Sequence, residues 1–289
     1  MIRTITATGI TQPTTIASMP DMSSTQQGPF VLKSLTPPQS FSVSGANRGI
    51  GLSLVLAFLD RFPSAVVFTG ARDPSKATHL NQLTKKHPNK LYIVELVVDD
   101  ADSNKAATEK VKQVTDRLDI VIANAGIPSP PEPIHTDNVN LYKTAFEVNT
   151  LGPLHLYQAT HPLLIASRKT DSTPSKDIPV PKFFITSSGL GSMGGYIPFY
   201  PATAHGASKA AVNYLAVAIH HQTEDVGAVI IPYHPGPKEA EAYATIPDVP
   251  QGITPEQCAK EYVDLIERSN RAEHGGRFWA QGFAEPYPW

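Results

Sequence analysis

The run His205-Gly206-Ala207-Ser208-Lys209 sets an imidazole and an ammonium group close together near the start of a predicted helix over 204–222. An imidazole ordinarily titrates at about 6.5, and a neighbouring cation pushes that value down, so His205 is expected to be mostly neutral at neutral pH. A neutral imidazole is a good base. It can also donate an N–H hydrogen bond to an oxygen that gains negative charge, but delivering a whole proton is harder than from imidazolium. Upstream, Ser44-Gly45-Ala46-Asn47-Arg48-Gly49-Ile50-Gly51 gathers glycines between a predicted strand and a predicted helix. There glycine permits a tight turn and lets the backbone approach a pyrophosphate, while the helix start offers unpaired N–H groups and the positive end of its dipole. Taken alone, such a cluster fits any strand-to-helix turn.

The elements that must position these residues follow from periodicity. Short β-branched or aromatic runs alternate with helical stretches, the pattern of a parallel sheet covered on both faces. Strands are predicted over 41–44, 65–69, 91–98, 118–123, 183–187, 229–233 and 276–283. Helices are predicted over 50–61, 140–167, 204–222 and 255–269, with Pro153 and Pro162 breaking or kinking the second of these. A polar loop spans 169–181, and Pro235-Gly236-Pro237 opens an irregular segment to about residue 253. The reading is an α/β fold: one doubly wound Rossmann-type domain over 40–289 with a seven-stranded parallel sheet. Residues 1–39, rich in Ser, Thr, Pro and Gln, read as a flexible N-terminal arm, with a targeting peptide as the lesser alternative.

The glycine motif, Asn124-Ala125-Gly126 at the end of the fourth strand and the Ser208-Lys209 pair together resemble a short-chain dehydrogenase/reductase over about 39–289. The resemblance implies strand order 3-2-1-4-5-6-7 and a nicotinamide cofactor held by Gly45, Asn47, Arg48, Gly49, Ile50, Gly51, Asn124, Ala125, Gly126, Lys209, Pro235 and Gly236. It implies catalytic roles for Asn149, which matches the asparagine holding a proton-relay water, and for Ser188, which matches the serine bonding the substrate oxygen. Ser187 is the neighbouring alternative for Ser188. Lys209 matches the lysine that binds the nicotinamide ribose. The family's acid is a tyrosine, and this chain has His205 in its place. Arg48 and Arg72, the latter in Gly70-Ala71-Arg72-Asp73-Pro74, stand where guanidinium groups pair with a 2′-phosphate, so NADP(H) is the expected cofactor.

The sequence departs from the family at two further places. The adenine-binding aspartate would align near Val97, leaving Asp99 or Asp100 as the substitute. The threonine expected soon after Pro235-Gly236 does not occur until Thr245, which would weaken the grip on the nicotinamide end. Three readings follow. The first is NADPH-dependent reduction of a carbonyl on a small apolar or aromatic substrate, the proton coming from His205 or from a loop tyrosine, Tyr196 or Tyr200. The second is a non-redox isomerase, dehydratase or cyclase using His205 as base or hydrogen-bond donor. The third is an inactive binding protein. Gly275-Gly276-Arg277-Phe278-Trp279 and Pro288-Trp289 are similar to the ends of sniffer-type carbonyl reductases and fungal ketoreductases, which implies secondary metabolism. The loop aromatics Tyr196, Phe199, Tyr200 and Tyr243 would suit a flat or apolar ligand, or simply pack their loops.

Bulk properties agree with an ordinary soluble globular protein. A net charge of −2 over 289 residues offers no footing for nucleic acid or an anionic membrane, and no apolar run is long enough to span a bilayer. The single cysteine, Cys258, excludes an internal disulfide and reads as a buried helix residue. No metal site is expected. A cytoplasmic location is expected, and the family resemblance implies a homodimer or homotetramer formed through the two long helices.

Overall fold

A computed structural model describes residues 40–169, 179–198, 200–236 and 252–289. The expected N-terminal arm, Thr245, Tyr243, Phe199 and most of the segment after Pro235-Gly236 lie outside the described residues. The strands β1 (Ser40–Ser44), β2 (Val66–Ala71), β3 (Leu91–Glu95), β4 (Ile120–Ala123), β5 (Lys182–Thr186), β6 (Val229–His234) and β7 (Trp279–Ala280) form one parallel sheet. Their order is β3-β2-β1-β4-β5-β6-β7, as the sequence implies. The helices are α1 (Gly49–Arg61), α2 (Thr78–Lys86), α3 (Ala101–Lys112), α4 (Val139–Phe146), α5 (Gly152–Leu164), α6 (Ala166–Lys169), α7 (Thr203–Gln222) and α8 (Pro255–Arg268).

Alternation along each strand sorts the core into two layers, because successive side chains point to opposite faces. Phe41, Val43, Ile120, Ile122, Phe184, Val229 and Ile231 face α1 and α8, where they meet Leu54, Phe58 and Tyr262. Val121, Ala123, Phe183, Ile185 and Ile230 face the other side with Leu156 and Leu163 of α5 and Val212 and Ala216 of α7. Both faces are therefore dry, as a parallel sheet requires.

Three boundaries differ from expectation, each for a local reason. β3 stops at Glu95 because α3 captures the backbone beyond it: Ser103 Oγ accepts from Val97 N, and the Asn104 amide donates to the Val97, Val98 and Asp100 carbonyls. β7 is two residues long, bracketed by Gly276 at φ +68 and Gly282 at φ +77, left-handed positions that interrupt an extended run. The long helix expected over 140–167 is divided by a π-helical turn, Glu147–Leu151. Pro153 directly follows this π-helical turn at the second residue of α5, and Pro162 lies inside α5 shortly before its end.

Helix α8 shows how this frame is secured. Thr254 Oγ1 accepts from Gln257 N at 3.2 Å while Gln257 Oε1 accepts from Thr254 N at 3.0 Å, a reciprocal cap. At its other end the buried Lys182 ammonium donates to the Ile266 carbonyl, the Ser269 carbonyl and Ser269 Oγ, a cation set against the negative end of the dipole. Cys258 is buried on the inner face of this helix. Replacing Thr254 by Ala removes half of the cap. Urea unfolding should show a loss of about 1 kcal/mol with an unchanged denaturant slope.

Candidate functional site

The carboxyl ends of β1, β4, β5 and β6 open into a cavity of about 1560 Å³. It spans the point between β1 and β4 where the strand order reverses, the place where open α/β sheets bind ligands. Its volume exceeds that of an ordinary small-ligand pocket, about 300–1000 Å³, and leaves room for a dinucleotide and a second molecule.

One half is built from the glycine turn. Gly45 has φ +64, and a Cβ built there would lie 2.8 Å from the Ala125 Cα. Gly51 is tighter still, its Cβ position falling 2.7 Å from Asn124 Nδ2 and closer yet to the Gly45 carbonyl. Asn124 locks this crossing: its amide donates to the Ser44 carbonyl at 3.1 Å and the Gly45 carbonyl at 3.3 Å, and its backbone N–H reaches Ser44 Oγ at 3.0 Å. Gly49, at φ +55, faces open space. Arg48 precedes α1 in an extended conformation and supplies no side-chain cap, so the first-turn N–H groups of α1 have no such partner. An uncapped helix start beside an open glycine fits a phosphate-bearing ligand.

Arg48, Arg72, Asp73, Lys76 and Asp99 line the same half. Asp73 is held down to about 2 by hydrogen bonds from Ser75 and Lys76, and it pairs with Lys76 at 2.9 Å. Arg48 and Arg72 are exposed and make no ion pair among the described residues. Of the two candidate aspartates, Asp100 caps α3 by accepting from Asp102 N and Ser103 N, whereas Asp99 remains on the cavity wall.

The other half gathers Ser188, His205, Lys209, Pro235 and Gly236. Ser188 Oγ accepts from Leu190 N at 3.2 Å, which leaves its proton available to the cavity. Ser187 also lines the cavity, but its proton is committed to Asn213 Oδ1. The Lys209 ammonium donates to the Thr186 carbonyl at 2.7 Å and lies close to Gly126. Asn149, buried in the π-helical turn, does not line the cavity. Its Oδ1 accepts from Ile127 N at 2.8 Å, and its Nδ2 donates to the Ile127 carbonyl and to Ser208 Oγ, each at 3.0 Å.

His205 is held on two sides. Its backbone N–H donates to Ser129 Oγ at 3.0 Å, and its Nδ1 lies 2.9 Å from the Ile127 carbonyl. A carbonyl only accepts, so Nδ1 carries a proton. In the neutral ring Nε2 is then a bare acceptor. Of the two loop tyrosines, Tyr200 lines the cavity, whereas Tyr196 is 66% exposed and does not.

Two residues of this wall were not anticipated. His234, at the end of β6, and Tyr287, near the end of the chain, both line the cavity. Burial and then the charge of His205 lower His234 to about 4, so it is neutral. His234 could have been found from its position directly before Pro235-Gly236. Tyr287 carries no local signal, being brought in by the packing of Phe278 against Tyr287 and Trp289. Among the described residues no cluster of His, Cys, Asp and Glu could hold a metal, and no helix is long and apolar enough to cross a membrane.

The short chain dehydrogenase family matches residues 40–172. An uncharacterized oxidoreductase of Schizosaccharomyces pombe is 33% identical over 84% of this chain and 96% of its own length. The chain belongs to the short-chain dehydrogenase family. A short chain dehydrogenase of Penicillium aethiopicum, gsfK, is 32% identical over 83% of this chain and 96% of its own. The crystal structure of NADPH-bound carbonyl reductase from chicken fatty liver superimposes with a TM-score of 0.77 at 28% identity, covering 87% of this chain and 99% of that one. Fold and family are those of an oxidoreductase of the short-chain dehydrogenase type.

The ring geometry is open to direct test. Nitrogen-15 NMR of histidine-labelled protein above pH 8 should show His205 with a protonated Nδ1 and an unprotonated Nε2. The reverse assignment would mean that the Ile127 carbonyl does not hold the ring.

Proposed function

We propose that this short-chain dehydrogenase binds NADP(H) and reduces the carbonyl of a small apolar or aromatic substrate, with His205 in the acid–base position that the family gives to tyrosine. The observation that carries the reading is that His205, fixed through Nδ1 to the Ile127 carbonyl, opens into the same cavity as Ser188, Lys209 and the uncapped start of α1. The residues present fit the dinucleotide: the α1 N–H groups would take the pyrophosphate, and Arg48 and Arg72 the 2′-phosphate. A bound nicotinamide supplies the hydride. The Ser188 hydroxyl donates to the substrate oxygen, the Lys209 charge favours negative charge building nearby, and His205 gives up a proton from Nε2 when it is imidazolium.

The fixed tautomer sets a direction in pH. Neutral His205 has no proton at Nε2 to deliver, so carbonyl reduction slows as pH rises past the His205 titration, while the reverse oxidation of an alcohol, which needs a base, speeds up. The bare Nε2 also favours a second reading, a nucleotide-independent isomerase, dehydratase or cyclase in which His205 abstracts a proton. That reading requires turnover without nicotinamide. The similarity of the C-terminal motifs supports a biosynthetic, secondary-metabolic setting, and we infer a cytoplasmic homodimer or homotetramer.

Calorimetric titration comes first. NADPH should bind more tightly than NADH, and the double substitution Arg48→Ala with Arg72→Ala should remove about tenfold or more of that preference. Binding of neither nucleotide would eliminate the reductase reading. In a carbonyl screen, His205→Phe should cut kcat by about 10²–10⁴, and Lys209→Ala should nearly abolish turnover. Undiminished reduction by His205→Phe would transfer the proton-donor role to Tyr200.

A further inference from the structure

The short helical turn Gly189–Gly191 has two packed sides. On one, a Cβ at Gly191 would lie 2.7 Å from the Lys209 backbone, and one at Gly206 would lie 2.7 Å from the Leu190 carbonyl, so the turn is pressed onto α7 beside His205 and Lys209. On the other, a Cβ at Gly189 would lie 3.2 Å from His234 Nε2 and 3.5 Å from the Tyr287 hydroxyl. The two rings lie 6.1 Å apart between centroids. His234 and Tyr287 therefore converge over Gly189, across the turn from α7, and both open into the same cavity.

The protonation of this pair is fixed by its surroundings. His234 is neutral, and its Nδ1 is sealed from solvent without a hydrogen-bond partner. Burying an N–H without an acceptor is disfavoured, so the ring proton belongs on Nε2, the atom beside Gly189 and Tyr287. The Tyr287 hydroxyl makes no hydrogen bond among the described residues, although its ring is held edge-on by Phe278 and Phe283. Its backbone is fixed as well: Tyr287 N donates to the Phe278 carbonyl at 2.7 Å, and Ser192 Oγ donates to the Pro288 carbonyl at 2.7 Å. Two donors thus line a largely apolar cavity, and among the described residues neither hydrogen-bonds to an acceptor.

We propose that His234 and Tyr287 form a second polar subsite that receives an acceptor oxygen of the substrate other than the reacting one. The reacting oxygen is assigned to Ser188 and His205 by the carbonyl-reduction reading, on which this inference rests for the naming of the two oxygens. Ser188 and Gly189 are adjacent residues, with Cα atoms about 3.8 Å apart. The second oxygen accordingly lies within a few bonds of the reacting carbon, as in a keto ester or a hydroxyketone. A plain ketone leaves both donors facing apolar surface, and rejection of a substrate that lacks a hydrogen-bonding group is where polar sites discriminate best.

Binding tests this without requiring hydride transfer. The full chain, without nicotinamide, is titrated calorimetrically with methyl 3-oxo-3-phenylpropanoate and with valerophenone, which share the aryl ketone and a similar length but differ in the ester. The keto ester should bind about tenfold or more tightly than the ketone, the worth of about one hydrogen bond. Tyr287→Phe, which keeps the ring packing, and His234→Leu should each bring that ratio several-fold closer to one. Their thermal unfolding, measured alongside, identifies a variant that has lost its fold, and the wild-type ratio stands as a test that needs no variant. Equal binding of the two probes by the wild type, no binding of the keto ester, or a ratio retained in both folded variants overturns the subsite. A ratio that behaves as expected in a protein unable to reduce either probe keeps the subsite and removes the reductase reading.

Discussion

The main chain of Ile127 is the constraint on which the site depends. Its N–H donates to Asn149 Oδ1, and its carbonyl accepts from both Asn149 Nδ2 and His205 Nδ1. One peptide group thus joins the loop after β4, the π-helical turn between α4 and α5, and the start of α7. The π-helical turn is the means: an inserted residue swings a side chain out of register with the helix, and Asn149 is turned towards Ile127 and Ser208. Removing the Asn149 amide would leave buried backbone groups unpaired, at about 1–3 kcal/mol each. It would also free the carbonyl that fixes the imidazole tautomer. Asn149 thus holds the Ile127 peptide without lining the cavity.

Close approach is the second requirement. The cavity floor is made where strand ends and helix starts meet at close range, and glycine stands at the crossings where a side chain would collide: Gly51 against Gly45 and Asn124, and Gly191 against Lys209. The Gly51 crossing brings α1 hard against the end of β4 and so fixes where the open N–H groups of α1 point relative to Lys209. The frame behind them is dry on both faces, with Lys182 and the Thr254 cap holding α8 against the layer that supports α1.

Much of the fold was legible because it is written in local signals. The alternation of apolar runs pointed to a parallel sheet, and the family resemblance carried by the glycine turn and Asn124-Ala125-Gly126 implied the strand order that is observed. Boundaries were less legible where side chains from distant elements intervene. Asn104 and Ser103 end β3 from the following helix, and no periodicity within 91–98 signals that. The π-helical turn was hidden behind Pro153 and Pro162, which suggested breaks farther along. In the candidate site, Ser188, His205 and Lys209 lie in sequence motifs, and they line one cavity. Tyr287 was missed because its place depends on Phe278 and the Ser192 hydroxyl, contacts made across long stretches of chain.

An imidazole in the acid–base position proposed for His205 would differ from a phenol in more than acidity. A phenol has one oxygen that both donates and accepts, so nothing in its anchoring decides which it does. An imidazole has two nitrogens, and anchoring one of them decides the other. Here Ile127, held in turn by Asn149, takes the Nδ1 proton, and the neutral ring is left facing the cavity as an acceptor. Neutral donors stand on both sides of the Gly189–Gly191 turn, Ser188 on one and His234 and Tyr287 on the other. The wall thus divides into an acceptor beside Lys209 and donors around the turn. A ligand complementary to it presents a hydroxyl proton to His205 or meets the ring as imidazolium, and in either case it leaves the second wall to be satisfied by another oxygen.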